Sequence, residues 1–518
     1  MIQWMHAIIL RIFVDYDTIK DRLFFSLLAA GEERMQSMFD VTVIGCGVIG
    51  AGIAYELSHY NLSVAIVEKE NDIACGATKA NSAIVHAGYD PKPGTKMARL
   101  NVEGSRMMEG LCRRLNVEYK RIGSLVLAFD EADMQILQEL LRRGTQNGVE
   151  GLKILTKEEA LGMEPGLSPE LTGALWAPTA AVISPWGLTL AAAQAAVQNG
   201  AELYRNCAVD KIVKENGFYR IRAGKNELET RYIVNAAGGF SDRINNMAAK
   251  PFFHIRPVKG QYYLLDKSQG STVHHVIFQT PGKAGKGVLI SPTVDGNLMV
   301  GPTADAAENP EDTAVTAQGL EKIMKCALRS DAQINFHESI RNFAGVRATA
   351  AEDDDFILEA SKDTPRFVNA AAIQSPGLSS SPAIAIEVRK ILESIGLACT
   401  PKDAYTEYRR QPLFRDMTEK QKKEALMRCP LYGRVICRCE TITEGDILHV
   451  LHGPIPPVSI DGVKRRCNAG MGRCQGGFCG PRVHEILSRE LGVPMVQIEQ
   501  DRAGSYLLTG ETKTGGTN

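Results

Sequence analysis

The chain has 518 residues, 44% of them hydrophobic, and its 59 Lys and Arg nearly balance its 60 Asp and Glu. At about 100–200 residues per domain, this length predicts roughly two to four domains. The balanced charge argues against a nucleic-acid binder held by electrostatics, and the lack of an apolar run of about 18 residues argues against a membrane-spanning helix.

Residues 1–37 form an N-terminal extension that matches neither a signal peptide nor a domain. Charged residues such as Arg11 and Asp15 interrupt its apolar stretches, so the ordered segments of a signal peptide do not occur. Residues 31–34 have the composition that a translated purine-rich ribosome-binding site would give. We hypothesise that the physiological start is Met35 or Met38; the alternative is an amphipathic N-terminal helix.

An apolar strand, a glycine-rich turn and a helical pattern follow one another from Phe39. The run Phe39–Ile44 is typical of a buried parallel strand. Three glycines follow it in the spacing G-x-G-x-x-G, namely Gly45, Gly47 and Gly50. The first permits a tight turn, the second lets a pyrophosphate approach the backbone, and the third lets the helix pack closely on the strand. This unit predicts dinucleotide binding; the alternative is a glycine-rich turn in another kind of α/β domain.

A second apolar strand ends at Glu68, which lies eighteen residues after Gly50. A carboxylate at this position accepts hydrogen bonds from ribose hydroxyls and disfavours a 2′-phosphate. We therefore expect FAD or NAD rather than NADP. The small, polar loop of residues 76–88 contains Thr78 and Ser82 and has a composition that allows close approach to a flavin ring and its phosphates.

Three later segments join this pattern to a known family. A strand ends in Asn-Ala-Ala-Gly238, Phe-Ala-Gly-Val precedes Arg347, and a turn through Gly377 and Leu378 leads into a helical pattern. From residue 39 to 397 the chain resembles the D-amino-acid-oxidase-like (DAO) superfamily of FAD oxidoreductases. The resemblance implies an α/β fold with a Rossmann-type FAD domain interleaved with an antiparallel-sheet substrate domain. The candidate FAD-binding residues are Gly45, Gly47, Gly50, Glu68, Thr78, Ser82, Gly238, Gly377 and Leu378.

Two residues are candidates for the chemistry at the flavin. Arg347 carries a guanidinium, which binds a carboxylate or phosphate through two parallel hydrogen bonds. Its position resembles that of the superfamily's substrate-anion arginine, although Ala348 stands where the family often has proline; the alternative is a surface ion pair. His86 carries an imidazole that serves as a general base near neutral pH; the alternatives are contact with the flavin without catalysis, and neither role.

Three further cations flank the expected substrate strands, namely Arg256, Lys259 and Lys286. We expect them to be solvated surface residues, and help with a second anionic group is the alternative. Four further histidines of this half show no ligand spacing; they are His254, His274, His275 and His337.

Six of the twelve cysteines crowd between residues 429 and 479. A secreted disulfide scaffold would be short and rich in cysteine throughout, so this distribution indicates a metal or redox module in a reducing cytosol. Cys437, Cys439, Cys474 and Cys479 form the spacing C-x-C, thirty-four residues, C-x4-C. Four thiolates from two tight loops suit zinc or an iron–sulfur cluster, and unmetallated thiols are the remaining alternative.

This stretch resembles the bacterioferritin-associated-ferredoxin-like (BFD-like) [2Fe–2S] domain. The family's second pair is usually C-x2-C, and the wider pair here resembles the form fused to flavoprotein dehydrogenase subunits. The resemblance implies a [2Fe–2S] cluster held by those four cysteines, with Cys467 as a less favoured substitute. Nearby glycines would let backbone N–H groups point at sulfur, and we expect Lys464–Arg466 to offset the charge of the cluster.

The chain therefore divides into an extension (1–37), an FAD-dependent oxidoreductase unit (38–400), a linker with a short helix (401–430), a small α-rich [2Fe–2S] module (431–485) and a tail (486–518). The fusion most resembles the anaerobic-type glycerol-3-phosphate dehydrogenases. That resemblance implies oxidation of a small anionic hydroxy substrate, glycerol 3-phosphate, to dihydroxyacetone phosphate. The alternatives are an L-2-hydroxyacid (2-hydroxyglutarate-like) dehydrogenase, an amine or opine dehydrogenase subunit, and an electron-transfer or redox-sensing subunit without its own substrate.

Electrons would leave this protein through the cluster. We expect the acceptor to be a partner, either an electron-accepting flavoprotein or a membrane-anchor subunit linked to quinone. The expected location is the cytoplasm, with peripheral attachment to the inner membrane through that partner. We expect no nucleic-acid partner and no transmembrane segment.

Overall fold

The computed structural model describes residues 38–281, 287–352 and 354–510. The hypotheses on residues 1–37 and the prediction for Lys286 lie outside the described residues. The described strands are β1 (Phe39–Ile44), β2 (Val64–Val67), β3 (Ile84–Val85), β4 (Tyr119–Arg121), β5 (Ser124–Ala128), β6 (Lys153–Thr156), β7 (Gly173–Ala177), β8 (Ala181–Ile183), β9 (Glu202–Tyr204), β10 (Val209–Lys214), β11 (Tyr219–Ala223), β12 (Asn226–Asn235), β13 (Ile255–Leu265), β14 (Val276–Gln279), β15 (Leu289–Pro292), β16 (Leu298–Gly301), β17 (Asp305–Ala306), β18 (Ser339–Ala350), β19 (Ile357–Ala360), β20 (Phe367–Ala371), β21 (Val435–Cys437) and β22 (Ile442–Thr443).

The described α-helices are α1 (Val48–Leu57), α2 (Lys96–Leu115), α3 (Glu131–Asn147), α4 (Lys157–Met163), α5 (Pro185–Gln198), α6 (Ser241–Ala248), α7 (Ala317–Ser330), α8 (Gly377–Ser394), α9 (Glu419–Arg428), α10 (Glu444–Leu451), α11 (Ile460–Cys467) and α12 (Gly480–Leu491). None of them combines the length and apolarity that crossing a membrane requires.

The first sheet has eight strands and contains the glycine-rich turn. Strand β1 lies between β2 and β12 and is parallel to both. Val41 and Val43 are buried in a core formed with helices α1, α2, α5 and α8, and Phe39 and Ile44 are buried in a second core. A strand covered on both faces is typical of a parallel α/β sheet, which explains why β1 reads as a continuous apolar run.

The second sheet has nine strands and is mostly antiparallel. Its longest pairing joins β13 to β18, from Ile255 opposite Ala350 to Leu265 opposite Ser339. Strands of the two sheets alternate along the chain, since β5–β7 and β13–β18 belong to this sheet and the intervening β9–β12 to the first. The predicted α/β fold with an interleaved antiparallel sheet is therefore confirmed.

The C-terminal module is small and mainly helical. Strands β21 and β22 form a hairpin, and helices α10, α11 and α12 enclose a separate apolar core with it. Thr443 caps α10 through a capping box with Asp446, and α9 lies in the predicted linker and begins at Thr418 with the same device. The described residues from Phe39 onward form one compact unit, so this module packs directly on the rest of the chain.

Candidate functional site

The glycine-rich turn admits no side chain at two of its three glycines. Gly45 has a φ of +99°, and a Cβ there would lie 2.5 Å from the carbonyl oxygen of Ala236. A Cβ on Gly50 would lie only 1.9 Å from the carbonyl oxygen of Gly45. Gly47 caps α1 without a side-chain hydrogen bond, which leaves N–H groups of the helix N-terminus for a ligand.

Glu68 lies beside this turn at the end of β2. Its carboxylate accepts hydrogen bonds from the N–H groups of Cys46 (2.8 Å) and Glu70 (3.0 Å). Burial raises the pKa of Glu68, and these two donors offset part of the rise. Cys46 itself is fully buried, and burial raises the pKa of its thiol well above the usual value, so its side chain packs rather than reacts.

The loop after β2 closes over the turn and reaches the second sheet. Thr78 Oγ1 accepts a hydrogen bond from the N–H of Val48 at 3.0 Å, which places Thr78 at the N-terminus of α1. Ser82 Oγ lies 3.1 Å from the hydroxyl of Tyr262 in β13. A Cβ on Gly345 of β18 would lie 1.8 Å from the carbonyl oxygen of Ala80, so this loop is pressed against the second sheet.

The remaining candidate FAD residues lie at the ends of two other elements. Gly238 has a φ of +55° and follows β12, where the side chain of Asn235 is fixed by the carbonyl of Ser241 at 2.7 Å. Gly377 is the first residue of α8, whose N-terminus also lacks a side-chain cap. Leu378 is half-buried and packs partly against the main core. The structure thus has two uncapped helix N-termini near the loop of residues 76–88.

Arg347 lies on β18, two residues beyond the contact of Gly345 with the loop. Its guanidinium is half-buried, and it forms no hydrogen bond or ion pair with any residue the structure describes. A Cβ on Gly260 of β13 would lie 3.0 Å from Nη2 of Arg347, so the missing side chain makes room for the guanidinium. A guanidinium held in this way is free to bind an anion.

His86 is half-buried at the end of the same loop. Its N–H donates to Ser379 Oγ at 2.8 Å, and its carbonyl accepts from Asn101 at 2.8 Å, so its backbone is fixed on both sides. The ring lies 5.8 Å from that of Phe278, and Nε2 is 3.4 Å from Ser375 Oγ. Sequence reasoning missed Ser375, whose signal was its place directly before the Pro-Gly-Leu turn.

Lys259 corrects one expectation about the substrate strands. We expected a solvated residue, but Lys259 is 7% exposed and its Nζ lies 2.9 Å from Asp312. In the register of β13 and β18, Val258 is opposite Arg347 and Lys259 is opposite Val346. Because side chains alternate along a strand, Lys259 points to the other face of the sheet from Arg347. Arg256 is exposed, as expected.

The four predicted cysteine ligands meet as two close pairs. Cys439 Sγ lies 3.7 Å from Cys474 Sγ. Gly472, in the loop of Cys474, lies against the side chain of Cys439. The thiol of Cys479 contacts Cys437 and, together with the N–H groups of Gly470 and Glu440, lowers the pKa of Cys437 to about 6. The described residues contain no group of three or more His, Cys, Asp or Glu that could hold a single metal ion. Two thiol pairs fit the four ligands of a [2Fe–2S] cluster better than one zinc ion.

Backbone donors around these sulfurs match the needs of thiolates. The N–H groups of Phe478 and Gly476 contact Cys474 and lower the pKa of its thiol. Cys467, the less favoured substitute, lies in α11 and donates from its thiol to the carbonyl of Val463 at 3.4 Å. It is fully buried, and burial raises the pKa of its thiol to about 12. Its sulfur is thus already satisfied inside the helix.

The basic strip of α11 does not have the role that we expected. Arg465 and Arg466 are buried and form ion pairs with Asp72 of the FAD-binding half. The expectation that they offset the charge of the cluster is therefore wrong for these two residues. Lys464 alone faces the cysteine loops, with its Nζ 3.5 Å from Gln475 Oε1.

Comparisons with known proteins identify the family of this chain and of its C-terminal domain. The family described as FAD dependent oxidoreductase (DAO) matches residues 40–390, and the BFD-like [2Fe-2S] binding domain matches residues 435–489. The glycerol 3-phosphate dehydrogenase of Caloramator mitchellensis is 50% identical over 478 residues, which cover 92% of this chain and 99% of that protein. The glycerol 3-phosphate oxidase of Mycoplasma genitalium is 32% identical and covers 68% of this chain and 94% of its own length.

Among solved structures, dithionite-reduced L-alpha-glycerophosphate oxidase from Mycoplasma pneumoniae, with FAD bound, superposes with a TM-score of 0.69. It is 31% identical and covers 73% of this chain and 100% of its own. Glycine oxidase from Geobacillus kaustophilus, at 24% identity and a TM-score of 0.62, shares the fold. The chain therefore belongs to the DAO family of FAD-dependent oxidoreductases and carries a BFD-like [2Fe–2S] domain, so its cofactors are FAD and a [2Fe–2S] cluster.

Proposed function

We propose that this enzyme oxidises glycerol 3-phosphate to dihydroxyacetone phosphate and passes the electrons through its [2Fe–2S] cluster. The observation that carries the proposal is the 50% identity with a glycerol 3-phosphate dehydrogenase over 92% of this chain, which spans both the oxidoreductase unit and the cysteine module. L-2-Hydroxyglutarate dehydrogenases are more distant, at 29% identity over 66% of the chain for the mouse enzyme.

Arg347 is the proposed anchor for the phosphate of the substrate. The guanidinium has no partner among the described residues, and the missing side chain of Gly260 makes room for it on the sheet. A fork of N–H donors fixes both the position and the orientation of a phosphate. With the phosphate held there, the secondary hydroxyl carbon is presented to the loop that contains His86.

His86 is the proposed general base. Oxidation of the secondary alcohol removes one hydride from the carbon and one proton from the hydroxyl, and Nε2 of His86 takes the proton. Ser375, 3.4 Å from Nε2, orients the ring, while Ser379 and Asn101 hold its backbone. Contact with the flavin without proton transfer is the competing role for this histidine.

The proposed FAD cradle consists of the glycine turn, Glu68, the loop of residues 76–88 and the N-terminus of α8. FAD, when bound, supplies the hydride acceptor. Glu68 fits the ribose because its carboxylate is already oriented by two N–H donors. Gly45 and Gly50, which admit no Cβ, fit the tight turn and the close packing of α1, and Gly47 between them fits the close approach of a pyrophosphate.

Cys437, Cys439, Cys474 and Cys479 are the proposed cluster ligands, and the cluster, when bound, supplies one-electron transfer. Cys439 is exposed, which gives an external acceptor access to this end of the protein. We propose that the acceptor is a partner flavoprotein or a membrane-anchor subunit, and that this partner brings the otherwise cytoplasmic enzyme to the inner membrane.

Anaerobic reduction of the purified holoenzyme tests the function. Flavin bleaching is recorded with glycerol 3-phosphate, L-2-hydroxyglutarate, L-lactate, proline and sarcosine. We expect fast bleaching with glycerol 3-phosphate alone, followed by loss of the cluster's visible bands. Preference for another substrate would replace the assignment, and no bleaching with any of them would favour a protein that only transfers electrons or senses redox state.

A further inference from the structure

A buried ion cluster joins the [2Fe–2S] module to the FAD-binding half. Asp72, just after β2, is fully buried, and Arg466 of α11 donates from both Nη atoms to its two carboxylate oxygens at 2.7 Å each. Arg465 adds a third contact, from Nη2 to Oδ2 at 3.0 Å. The two arginines are only 5% and 4% exposed. One carboxylate is thus enclosed by two guanidiniums from the other module.

The charges in this cluster depend on one another. Burial alone would raise the pKa of Asp72, but Arg466 and Arg465 outweigh it and hold the pKa well below the usual range. A buried charge that loses its partner keeps its desolvation penalty without the compensating attraction. Moving the module away from the FAD-binding half would leave these charges without partners, so the separation is energetically costly.

Neighbouring contacts extend the cluster along the same segment. Asn71 donates to Glu499 at 2.6 Å and to the carbonyl of Asp501 at 2.8 Å. Asp501 in turn accepts from Arg465 at 2.7 Å and from Lys79 at 2.6 Å. The segment of residues 71–79 is thus fixed to the module at Asp72 and to the tail after the module at Asn71 and Lys79. It lies in the chain between Glu68 and the loop that closes over the glycine turn.

Other ion pairs between the module and the second sheet are more exposed. Arg473 pairs with Asp266 at 3.0 Å, but its side chain is 64% exposed, and Lys267, which pairs with Glu440 at 2.9 Å, is 42% exposed. Exposed pairs contribute little because water competes for both charges. The cluster around Asp72 is therefore the most enclosed ion pair between the module and the rest of the described residues.

We propose that Asp72 is a positioning residue which, through Arg465 and Arg466, holds the [2Fe–2S] module at one fixed place on the FAD-binding half, so that the cluster is a fixed relay and not a mobile carrier. The inference rests on the proposed function, in which electrons pass from flavin to cluster. Each substrate gives up two electrons, and they cross in two one-electron steps to two equivalents of a one-electron oxidant such as ferricyanide. With the module fixed, the distance between flavin and cluster is the same in both one-electron steps.

The experiment uses the full-length holoenzyme with both cofactors. Asp72→Asn removes the charge of this side chain. It keeps an oxygen that can accept the hydrogen bond from the N–H of Ile73, which is 2.9 Å long in the wild type. Arg466→Met removes the other half of the pair from the module side. Asp266→Asn is the matched control, because it makes the same substitution at the exposed pair with Arg473. After rapid mixing with glycerol 3-phosphate, flavin bleaching and cluster reduction are recorded separately. Limited proteolysis measures release of the module.

In Asp72→Asn and Arg466→Met we expect flavin bleaching at the wild-type rate, cluster reduction slowed about tenfold, and cleavage in the linker of residues 401–430 accelerated roughly 100-fold. The control should match the wild type in all three. A role in stability alone would leave the ratio of the two reduction rates unchanged, and that result in either variant overturns the inference. Failure of the wild-type flavin to bleach would instead count against the proposed function.

Discussion

Arg347 and Arg466 have the same side chain and opposite surroundings. Arg466 is buried, with both Nη atoms on Asp72 and its Nε on the carbonyl of Ile455, whereas the guanidinium of Arg347 is half-buried beside a glycine and has no partner among the described residues. An arginine whose partners lie within the fold stabilises the fold, and we propose that Arg347, which has none among the described residues, binds the substrate. Cys467 and Cys474 differ in the same way, since the first is satisfied within its helix and the second faces another thiol.

The largest expected effect is on the cysteines. Cys474→Ser should abolish the visible and paramagnetic signals of the cluster, because it removes one of four thiolate ligands. Cys467→Ser is the control in the same module and should keep full iron content. Iron and sulfide analysis of both purified variants decides the assignment, and a cluster that survives in Cys474→Ser but not in Cys467→Ser would reverse it.

Replacement of Arg347 should act on the substrate alone. Arg347→Met should lower kcat/KM for glycerol 3-phosphate roughly 1,000-fold, because two charged hydrogen bonds to the phosphate are lost. Its free energy of unfolding should change by less than about 0.5 kcal/mol, since no internal partner is lost. Arg347→Lys keeps the charge without the fork and should recover part of the activity. Wild-type kinetics in Arg347→Met would contradict the proposed anchor.

Replacement of Arg466 should have the reverse pattern. Arg466→Met leaves Asp72 charged, buried and without its main partner, so the free energy of unfolding should fall by about 3–5 kcal/mol. Flavin reduction by substrate should keep its rate at temperatures where the variant is folded. Denaturant titration measures the first quantity and rapid mixing the second. A fall below about 1 kcal/mol would show that the cluster around Asp72 stabilises little.

Variants at His86 distinguish a catalytic role of this residue from a packing role. As general base, His86→Asn should lower kcat roughly 100-fold with little change in the flavin spectrum. Ser375→Ala, which removes only the 3.4 Å contact to Nε2, should cost about fivefold or less. If the histidine only packs on the flavin, His86→Asn should alter FAD affinity and spectrum while kcat is retained.

The smallest expected effect concerns pH. The pKa of Asp72 lies well below that of an unfolded Asp, about 3.9, so its contribution to stability is fully present above that value. It is lost only as the pH falls through the lower pKa of the folded state. We therefore expect no release of the module by proteolysis between pH 7 and pH 5, and release in that range would argue that other groups hold it.

The local signals in the sequence predicted the local structure well. The glycine turn follows from backbone geometry that admits no Cβ at two positions, and the four cysteines of the two motifs lie in two close pairs, each with one cysteine from either motif. The ion-pair partners of Lys259, Arg465 and Arg466 could not be predicted, because each partner lies far from its arginine or lysine along the chain. For Lys259, the side chain also points to the other face of the strand from Arg347. A run of three basic residues does not reveal that two of them will pair with a buried carboxylate nearly four hundred positions earlier.

That separation has a consequence for how the protein is made. Asp72 and Arg466 are 394 residues apart. At about 5–20 residues per second, the ribosome needs roughly 20–80 s to add the second after the first. During this interval Asp72 lacks both guanidiniums that hydrogen-bond to it in the folded protein, so its charge resists burial. A turn encoded near the beginning of the chain thus completes its folding only when the last module emerges.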